Sequence, residues 1–256
     1  MGKTISIINH KGGVGKTTTT VSLASGLCLL NKKVLLIDID PQANLTISTG
    51  LNPSDEKNIY GALSGKYPLP IITTDTGLDV VPSTIDLSAA EIELHQKPER
   101  EALLKKLIYP VLKNYDFVLI DCPPSLGLLT LNALTASQGA IIPVELSGFA
   151  LAGMAKLFEI VKKVRQKINP ELTICRILIT RMDKRQAVQK ELSDYIYKTY
   201  GNDVLKSQIR NNAKIIEAQI QRKDIFTFYK TSNGAKDYMN LCKEFLKIYK
   251  NKNYEN

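Results

Sequence analysis

With 256 residues, 44% hydrophobic and 23% charged, the chain can bury most of its apolar surface in one large domain or two small ones, and its composition is that of an ordinary soluble globular protein. No stretch approaches the roughly 18 uninterrupted apolar residues of a membrane span, and the opening Met1-Gly2-Lys3-Thr4-Ile5-Ser6 lacks a signal-peptide layout, so a cytoplasmic protein is expected. The net charge of +9 is one-sided: residues 1–150 carry 12 Lys+Arg against 14 Asp+Glu and residues 151–256 carry 22 against 11, the electrostatic footprint of a polyanion partner.

In chain order, Ile5-Ser6-Ile7-Ile8 is a short β-branched run ending in a Gly-rich stretch. Gly2 fits a loose acylation pattern but leads straight into this run, which favours a core strand. Thr17 to Leu30 shows helix-like apolar spacing closed by Asn31. Short continuous apolar runs then recur at Val34–Ile39, Leu78–Val81, Asp116–Ile120, Ala140–Val144 and Ile174–Ile179, separated by helix-length segments. Continuous rather than alternating apolarity marks strands covered on both faces. The expected architecture is therefore α/β, a doubly wound, mostly parallel sheet with helices on both faces. Frequent Gly and Pro between Ile39 and Leu78 predict mobile loops around a short helix near Ile59 to Leu63. Gly234 to Lys252 reads as a closing helix with Ala235, Tyr238, Met239, Cys242, Phe245, Leu246 and Tyr249 on one face, and Asn251 to Asn256 as a frayed tail. No linker, repeat or low-complexity tract divides the chain, so residues 1–256 are expected to form a single domain. Cys28, Cys122, Cys175 and Cys242 are widely separated, which argues against a disulfide framework or a metal cluster and for reduced, mostly buried thiols.

The segment His10-Lys11-Gly12-Gly13-Val14-Gly15-Lys16-Thr17-Thr18 lies between the first strand and the first helix. There, backbone N–H groups and the helix N-terminus can surround a phosphate. Lys16 would bridge the β- and γ-phosphates of a nucleotide, and Thr17 would place its hydroxyl on magnesium. The strict pattern has Gly where this chain has His10, so the loop is a variant, distinguished by the second lysine, Lys11. Asp121 ends an apolar strand ahead of Cys122-Pro123-Pro124, as expected of an acid that reaches the magnesium shell through water. Asp38 and Asp40 close another strand two residues apart, and strand alternation would put both on one side. One carboxylate is needed near the metal and another could position an attacking water; both could equally be strand-end caps.

Lys11-Gly12-Gly13-Val14-Gly15-Lys16-Thr17-Thr18, Asp38-Ile39-Asp40-Pro41-Gln42-Ala43-Asn44 and Ile120-Asp121-Cys122-Pro123-Pro124-Ser125-Leu126-Gly127, in this order, resemble the ParA/Soj family of deviant-Walker-A partition ATPases. Val81-Pro82-Ser83, Ala90-Glu91-Ile92-Glu93-Leu94, Leu131-Asn132-Ala133-Leu134-Thr135-Ala136-Ser137 and Gly234-Ala235-Lys236-Asp237-Tyr238 extend the resemblance essentially end to end. It is to the short, Soj-like type without an N-terminal helix-turn-helix.

The resemblance implies a P-loop ATPase that binds ATP and Mg2+, hydrolyses ATP slowly without a partner, and dimerises around two nucleotides. Gly12, Gly13, Val14, Gly15, Lys16, Thr17 and Thr18 would hold ATP, while Lys11 would reach the partner's ATP across the dimer. Asp40 would orient the hydrolytic water, so that Lys11, Lys16 and Asp40 form the catalytic set. Thr17, Asp40 and Asp121, the last as the Walker B acid, would serve the Mg2+, the carboxylates through water. The family's DNA contacts align with Arg185, in Met182-Asp183-Lys184-Arg185, and Lys214; where Soj-like proteins read Pro-Arg-Asn-Val-Arg, this chain has Arg210-Asn211-Asn212-Ala213-Lys214.

The function implied is ATP-dependent segregation or positioning of a plasmid, chromosome origin or other cargo over the nucleoid. Non-specific DNA and a ParB-like or other cargo-bound activator would be the partners, with no stable membrane association. The nearest rival is a MinD-like membrane-associated ATPase that positions the division site. Such chains resemble Asp-x-Pro-Ala-Gly after the Walker B strand, whereas this one has Asp121-Cys122-Pro123-Pro124-Ser125. Phe245, Leu246, Ile248 and Tyr249 with Lys243, Lys247, Lys250 and Lys252 could mimic an amphipathic membrane tail, but a core helix accounts for the same pattern. A cluster-carrying ATPase of the nitrogenase-iron-protein type would need paired cysteines, and a tyrosine kinase of this superfamily would need a C-terminal tyrosine cluster where this chain has only Tyr254.

Overall fold

The computed structural model describes residues 1–54, 56–147 and 150–250. The chain runs through β1 (Lys3–Ile7), α1 (Lys16–Leu29), β2 (Val34–Asp38), α2 (Asn44–Ser48), α3 (Ile59–Leu63), β3 (Ile72–Thr73), β4 (Asp79–Val81), α4 (Leu87–Leu94) and α5 (Leu103–Ile108). It continues through β5 (Phe117–Asp121), α6 (Leu128–Ala136), β6 (Gly139–Glu145), α7 (Ala150–Lys167), β7 (Ile174–Thr180), α8 (Ala187–Tyr200), α9 (Ala213–Ile220), α10 (Ile225–Tyr229) and α11 (Asn233–Lys250). All six runs expected to be strands are strands, and the short helix at Ile59–Leu63 is present. The tail Asn251–Asn256 lies outside the described residues.

The strands form one sheet in the order β3-β4-β2-β5-β1-β6-β7. Every pairing is parallel except β3 with β4, where Ile72 faces Val80 and Thr73 faces Asp79. Two residues carry too little apolar signal to be read as a strand, which is why β3 has no counterpart in the sequence reading. Alternation divides the continuous apolar runs between two cores. Leu35, Ile37, Val118, Ile120, Ile142 and Ile177 face one helical layer; Val34, Leu36, Phe117, Leu119, Ile141 and Leu178 face the other. With both faces covered, polar groups can collect at the carboxyl ends of the strands.

The second layer is built by α1 and α11. Asn31 at φ 59 ends α1, and the Lys32 N–H returns to the Leu27 carbonyl at 3.0 Å, as its closing position predicts. On α11, Ala235, Tyr238, Leu241, Cys242 and Phe245 are buried. The Phe245 ring meets Phe117 edge-on at 5.0 Å and Tyr249 at 4.5 Å. The apolar face of the closing helix is therefore committed to the sheet and is not a free amphipathic surface. Among the described residues no helix is long and apolar enough to cross a membrane. All four cysteines are free thiols; Cys122 and Cys242 are buried, and burial pushes the Cys175 and Cys242 thiols up to about 12.

The α1–α11 contact closes on Gly26, where an added Cβ would lie 2.4 Å from Cys242 Sγ and 3.1 Å from the Phe226 ring. Gly26→Ala is therefore expected to lower stability by about 1–3 kcal/mol through overpacking, measured by denaturant unfolding. Cys242→Ala in the same chain should recover part of that loss, giving a favourable coupling between the two substitutions.

Candidate functional site

The glycine-rich loop leaves the carboxyl end of β1 and enters α1 with Gly13 at φ 75 and Gly15 at φ 91, conformations that side chains disfavour. No side chain caps α1, so the N–H groups of its first turn are available to an anion. The loop is braced from β6 and β7. The Lys11 N–H donates to Asn9 Oδ1 at 3.0 Å while Asn9 Nδ2 donates to the Pro143 carbonyl at 2.6 Å. Thr180 Oγ1 donates to the Val14 carbonyl at 2.8 Å. Sequence reasoning missed both braces, because their partners lie more than a hundred residues away.

The two lysines of the loop are placed differently. Lys16 is buried, and its Nζ donates back to the Lys11 carbonyl at 3.3 Å inside the loop. Lys11 is 45% exposed, with its Nζ 4.0 Å from Glu145 Oε2 and 3.5 Å from Ser147 Oγ. Lys11, which the resemblance sends to the partner's ATP, thus also has contacts within its own chain, because the turn of the loop carries it over the end of β6.

The carboxylates gather where β2 and β5 end, since Asp38 and Asp121 are register partners. Thr17 Oγ1 donates to Asp121 Oδ2 at 2.6 Å and Thr20 Oγ1 to Oδ1 at 3.4 Å. Burial, aided by the Asp38 charge, pushes the Asp121 carboxyl well above the usual carboxylate range. Asp38 and Asp40 do not share a role. Asp38 is fully buried and accepts from the Thr46 N–H and Oγ1 at 2.9 and 2.7 Å and from the Asp40 N–H at 3.1 Å, so it is the cap. Strand β2 stops at Asp38, alternation does not extend further, and Asp40 lines the cavity instead. Ser83 fixes this turn: its Oγ donates to the Asp40 carbonyl at 2.8 Å, and its N–H donates to Thr46 Oγ1 at 2.9 Å.

An open cavity of about 570 Å³ lies over the loop, lined by Gly12, Gly13, Gly15, Lys16, Thr17, Thr18, Asp40, Gln42, Pro124, Arg181 and Gln219 among others. A groove of about 660 Å³ between the end of α1 and α11 is larger but contains none of the loop or carboxylate residues. Arg181 and Gln219 were not anticipated; Gln219 Nε2 donates to Thr18 Oγ1 at 2.7 Å, joining α9 to α1. No cluster of three or more His, Cys, Asp or Glu side chains suited to a metal occurs among the described residues. The oxygen donors here, Thr17, Asp121 and Asp40, are hard and few. They fit Mg2+, which retains waters and takes further oxygens from phosphates.

The structure brings the two basic stretches together. Met182 and Arg210 form an isolated parallel bridge, with the Met182 N–H donating to the Ile209 carbonyl at 3.0 Å and the Asn211 N–H to the Met182 carbonyl at 3.1 Å. Arg185, 90% exposed, pairs with Asp183 at 2.7 Å. Lys214 pairs with Glu217 at 2.7 Å and lies 5.8 Å from the Tyr229 ring centroid. Arg210, at the departure from the Soj-like pattern, is held by both oxygens of Asp237, at 2.7 and 2.9 Å.

The family model of the AAA domain matches residues 2–174. The chain is 43% identical over 248 residues to the sporulation initiation inhibitor protein Soj of Bacillus subtilis (strain 168), covering 95% of this chain and 98% of the relative. Among solved structures, it is similar to a cobyrinic acid a,c-diamide synthase from Mycobacterium smegmatis with bound ATP analog and magnesium. That match has a TM-score of 0.86 and 30% identity over 98% of this chain and 96% of the other. It is also similar to a putative plasmid partition protein from Borrelia burgdorferi bound to AMPPNP, with a TM-score of 0.82 and 29% identity over 97% of this chain and 100% of the other.

Thr46 connects Asp38 to Ser83, so Thr46→Val is expected to cost about 1–3 kcal/mol by leaving a buried N–H without its acceptor and Asp38 without a donor. The loss should depend on pH. Burial raises the folded Asp38 carboxyl to about 7, so its contribution is present below the ordinary carboxylate range and disappears as pH rises through about 7. Removing a donor to the ionised carboxylate raises that value further. The stability gap between wild type and variant should widen from pH 6 to pH 8, measured by urea unfolding in magnesium-free buffer.

Proposed function

The chain belongs to the ParA/Soj family of partition ATPases, and from that membership we propose that it is an ATP- and Mg2+-dependent ATPase acting as a dimeric switch that binds DNA without sequence preference and segregates or positions a cargo over the nucleoid. The observation that carries this reading is the separation of the two lysines: Lys16 is folded into its own loop, while Lys11 is exposed at the loop's outer side. One cation then serves the nucleotide of its own chain, and the other serves the nucleotide of a second chain. The partition role rests on membership of the family and on the likeness to a putative plasmid partition protein rather than on the structure described as a diamide synthase at 30%.

The chain's own groups divide the work. The first-turn N–H groups of α1 and Lys16 bind and neutralise the phosphates. Thr17 and Asp121 would hold Mg2+, with Asp40 close by; when bound, the ion neutralises charge developing on the phosphate oxygens. Asp40, at the cavity wall, orients the attacking water. DNA would lie against the face made by the adjoining Arg185 and Lys214 segments, supported by the C-terminal charge excess, because non-specific affinity arises from phosphate neutralisation and counterion release. A cargo-bound, ParB-like activator would stimulate hydrolysis.

Three substitutions separate the roles. Lys11→Ala should still bind ATP but sediment as a monomer, Lys16→Ala should lose nucleotide, and Asp40→Ala should accumulate an ATP-bound, DNA-bound dimer. Equal loss of ATP affinity in all three would refute the division.

DNA binding is expected to depend on ATP through dimerisation, which doubles the cationic contacts on one rigid body. With about four phosphates neutralised per subunit, the salt slope should steepen from about −3.6 to about −7 on dimerisation. Arg185→Glu with Lys214→Glu should abolish DNA retention in ATP while leaving the dimer intact; unchanged retention at fixed salt would place the DNA face elsewhere.

A further inference from the structure

We infer that Glu145 is a positioning residue that restrains Lys11 within its own chain and thereby sets the ATP level at which dimers form. This rests on the reading of Lys11 as the lysine that crosses the dimer. Glu145 is the last residue of β6, in register with Thr180 on β7. Thr180 holds the loop through the Val14 carbonyl, and the next residue, Arg181, turns into the left-handed region at φ 52 and lines the cavity. A single oxygen, Glu145 Oε2, therefore faces two cations: Lys11 Nζ at 4.0 Å and Arg181 Nη1 at 3.7 Å. Among the described residues no other carboxylate is within ion-pairing distance of either.

Both distances exceed a hydrogen bond, and all three side chains are partly solvated, at 45%, 31% and 51% exposure for Lys11, Glu145 and Arg181. Such contacts are individually weak and readily exchanged. Exchange is what crossing the dimer requires, because Lys11 must leave this carboxylate for the phosphates of the partner's nucleotide. The Glu145 charge opposes that step twice: it attracts Lys11 away from the partner, and it repels the incoming phosphates from the same neighbourhood. Neutralising it relieves both effects, so the dimer should form at lower ATP.

The test is ATP titration of dimer formation by analytical ultracentrifugation, comparing wild type with Glu145→Gln, Glu145→Asp, Lys11→Ala and the double variant Glu145→Gln with Lys11→Ala. Glu145→Gln should reach half-maximal dimer at about three- to fivefold lower ATP, the scale of a partly exposed ion pair, and Glu145→Asp should stay near wild type. The advantage of Glu145→Gln should shrink as ionic strength rises, and the double variant should remain monomeric, showing that the effect runs through Lys11. Melting curves of the nucleotide-free variants establish that each is folded. A Glu145→Gln curve that coincides with wild type, or moves to higher ATP, overturns the inference. If Lys11→Ala itself dimerises like wild type, the two-chain reading fails, and the role given to Glu145 fails with it; that outcome is distinct from a normal monomeric Lys11→Ala beside an unshifted Glu145→Gln.

Discussion

Burial of the sheet on both faces is the constraint from which the rest follows. Five successive residues of β2 and five of β5 are buried, and an uncompensated polar side chain within such a run would be desolvated at a cost of several kcal/mol. The ends of these strands are where helices no longer cover the sheet and polar groups can meet partners or water. Asp38 and Asp121 both occupy that boundary, side by side in register, and the phosphate loop arrives at the same level from β1. The site is thus a consequence of how the apolar runs end.

That boundary is electrostatically uneasy. Burial raises the proton affinity of both Asp38 and Asp121, the Asp38 charge adds to it at Asp121 and the Asp40 charge at both, and Lys16 is the cation that offsets Asp121. Hydroxyl and amide donors from Thr17, Thr20 and Thr46 make the arrangement tolerable without neutralising it. Local discomfort of this kind is what a site built for a cation and a polyphosphate is expected to carry. Around Glu145 the opposite imbalance holds: Lys11 and Arg181 share one carboxylate oxygen. Positive charge is in surplus where a second molecule would arrive.

Much of this was legible before the fold was known. Continuous apolar runs announced a parallel sheet, and the glycine-lysine-threonine segment between strand and helix announced the phosphate loop, because both signals are local in the chain. Asp121 could be placed by its position after Ile120 alone. Asn9, Thr180, Arg181 and Gln219 could not, since each acts on residues far away in sequence and belongs to no local pattern. The resemblance assigned the water to Asp40, but the residues alone left Asp38 and Asp40 equivalent; that Asp40 lines the cavity while Asp38 is a cap follows from β2 stopping at Asp38, a boundary that apolar spacing does not resolve. Arg185 and Lys214 were visible as charges, and their acidic partners Asp183 and Glu217 were also close enough in sequence to be read. The Met182–Arg210 bridge that unites their segments was not, because a single pairing leaves no period.

The contact between the first and last helices has a consequence for the order of events during synthesis. The loop and its helix are made about two hundred residues before α11, yet α1 depends for its burial on α11: Thr19 Oγ1 lies 3.4 Å from the Tyr238 hydroxyl, and Cys242 Sγ donates to the Leu23 carbonyl at 3.6 Å. While residues near Tyr238 and Phe245 are still inside the ribosomal exit tunnel, one face of α1 has no covering layer, and the loop it anchors has no settled geometry. A nascent chain can carry every phosphate-binding residue and still be unable to hold a nucleotide firmly. Completion of the nucleotide site is thereby deferred until α11 has emerged, well after the phosphate loop itself has been made.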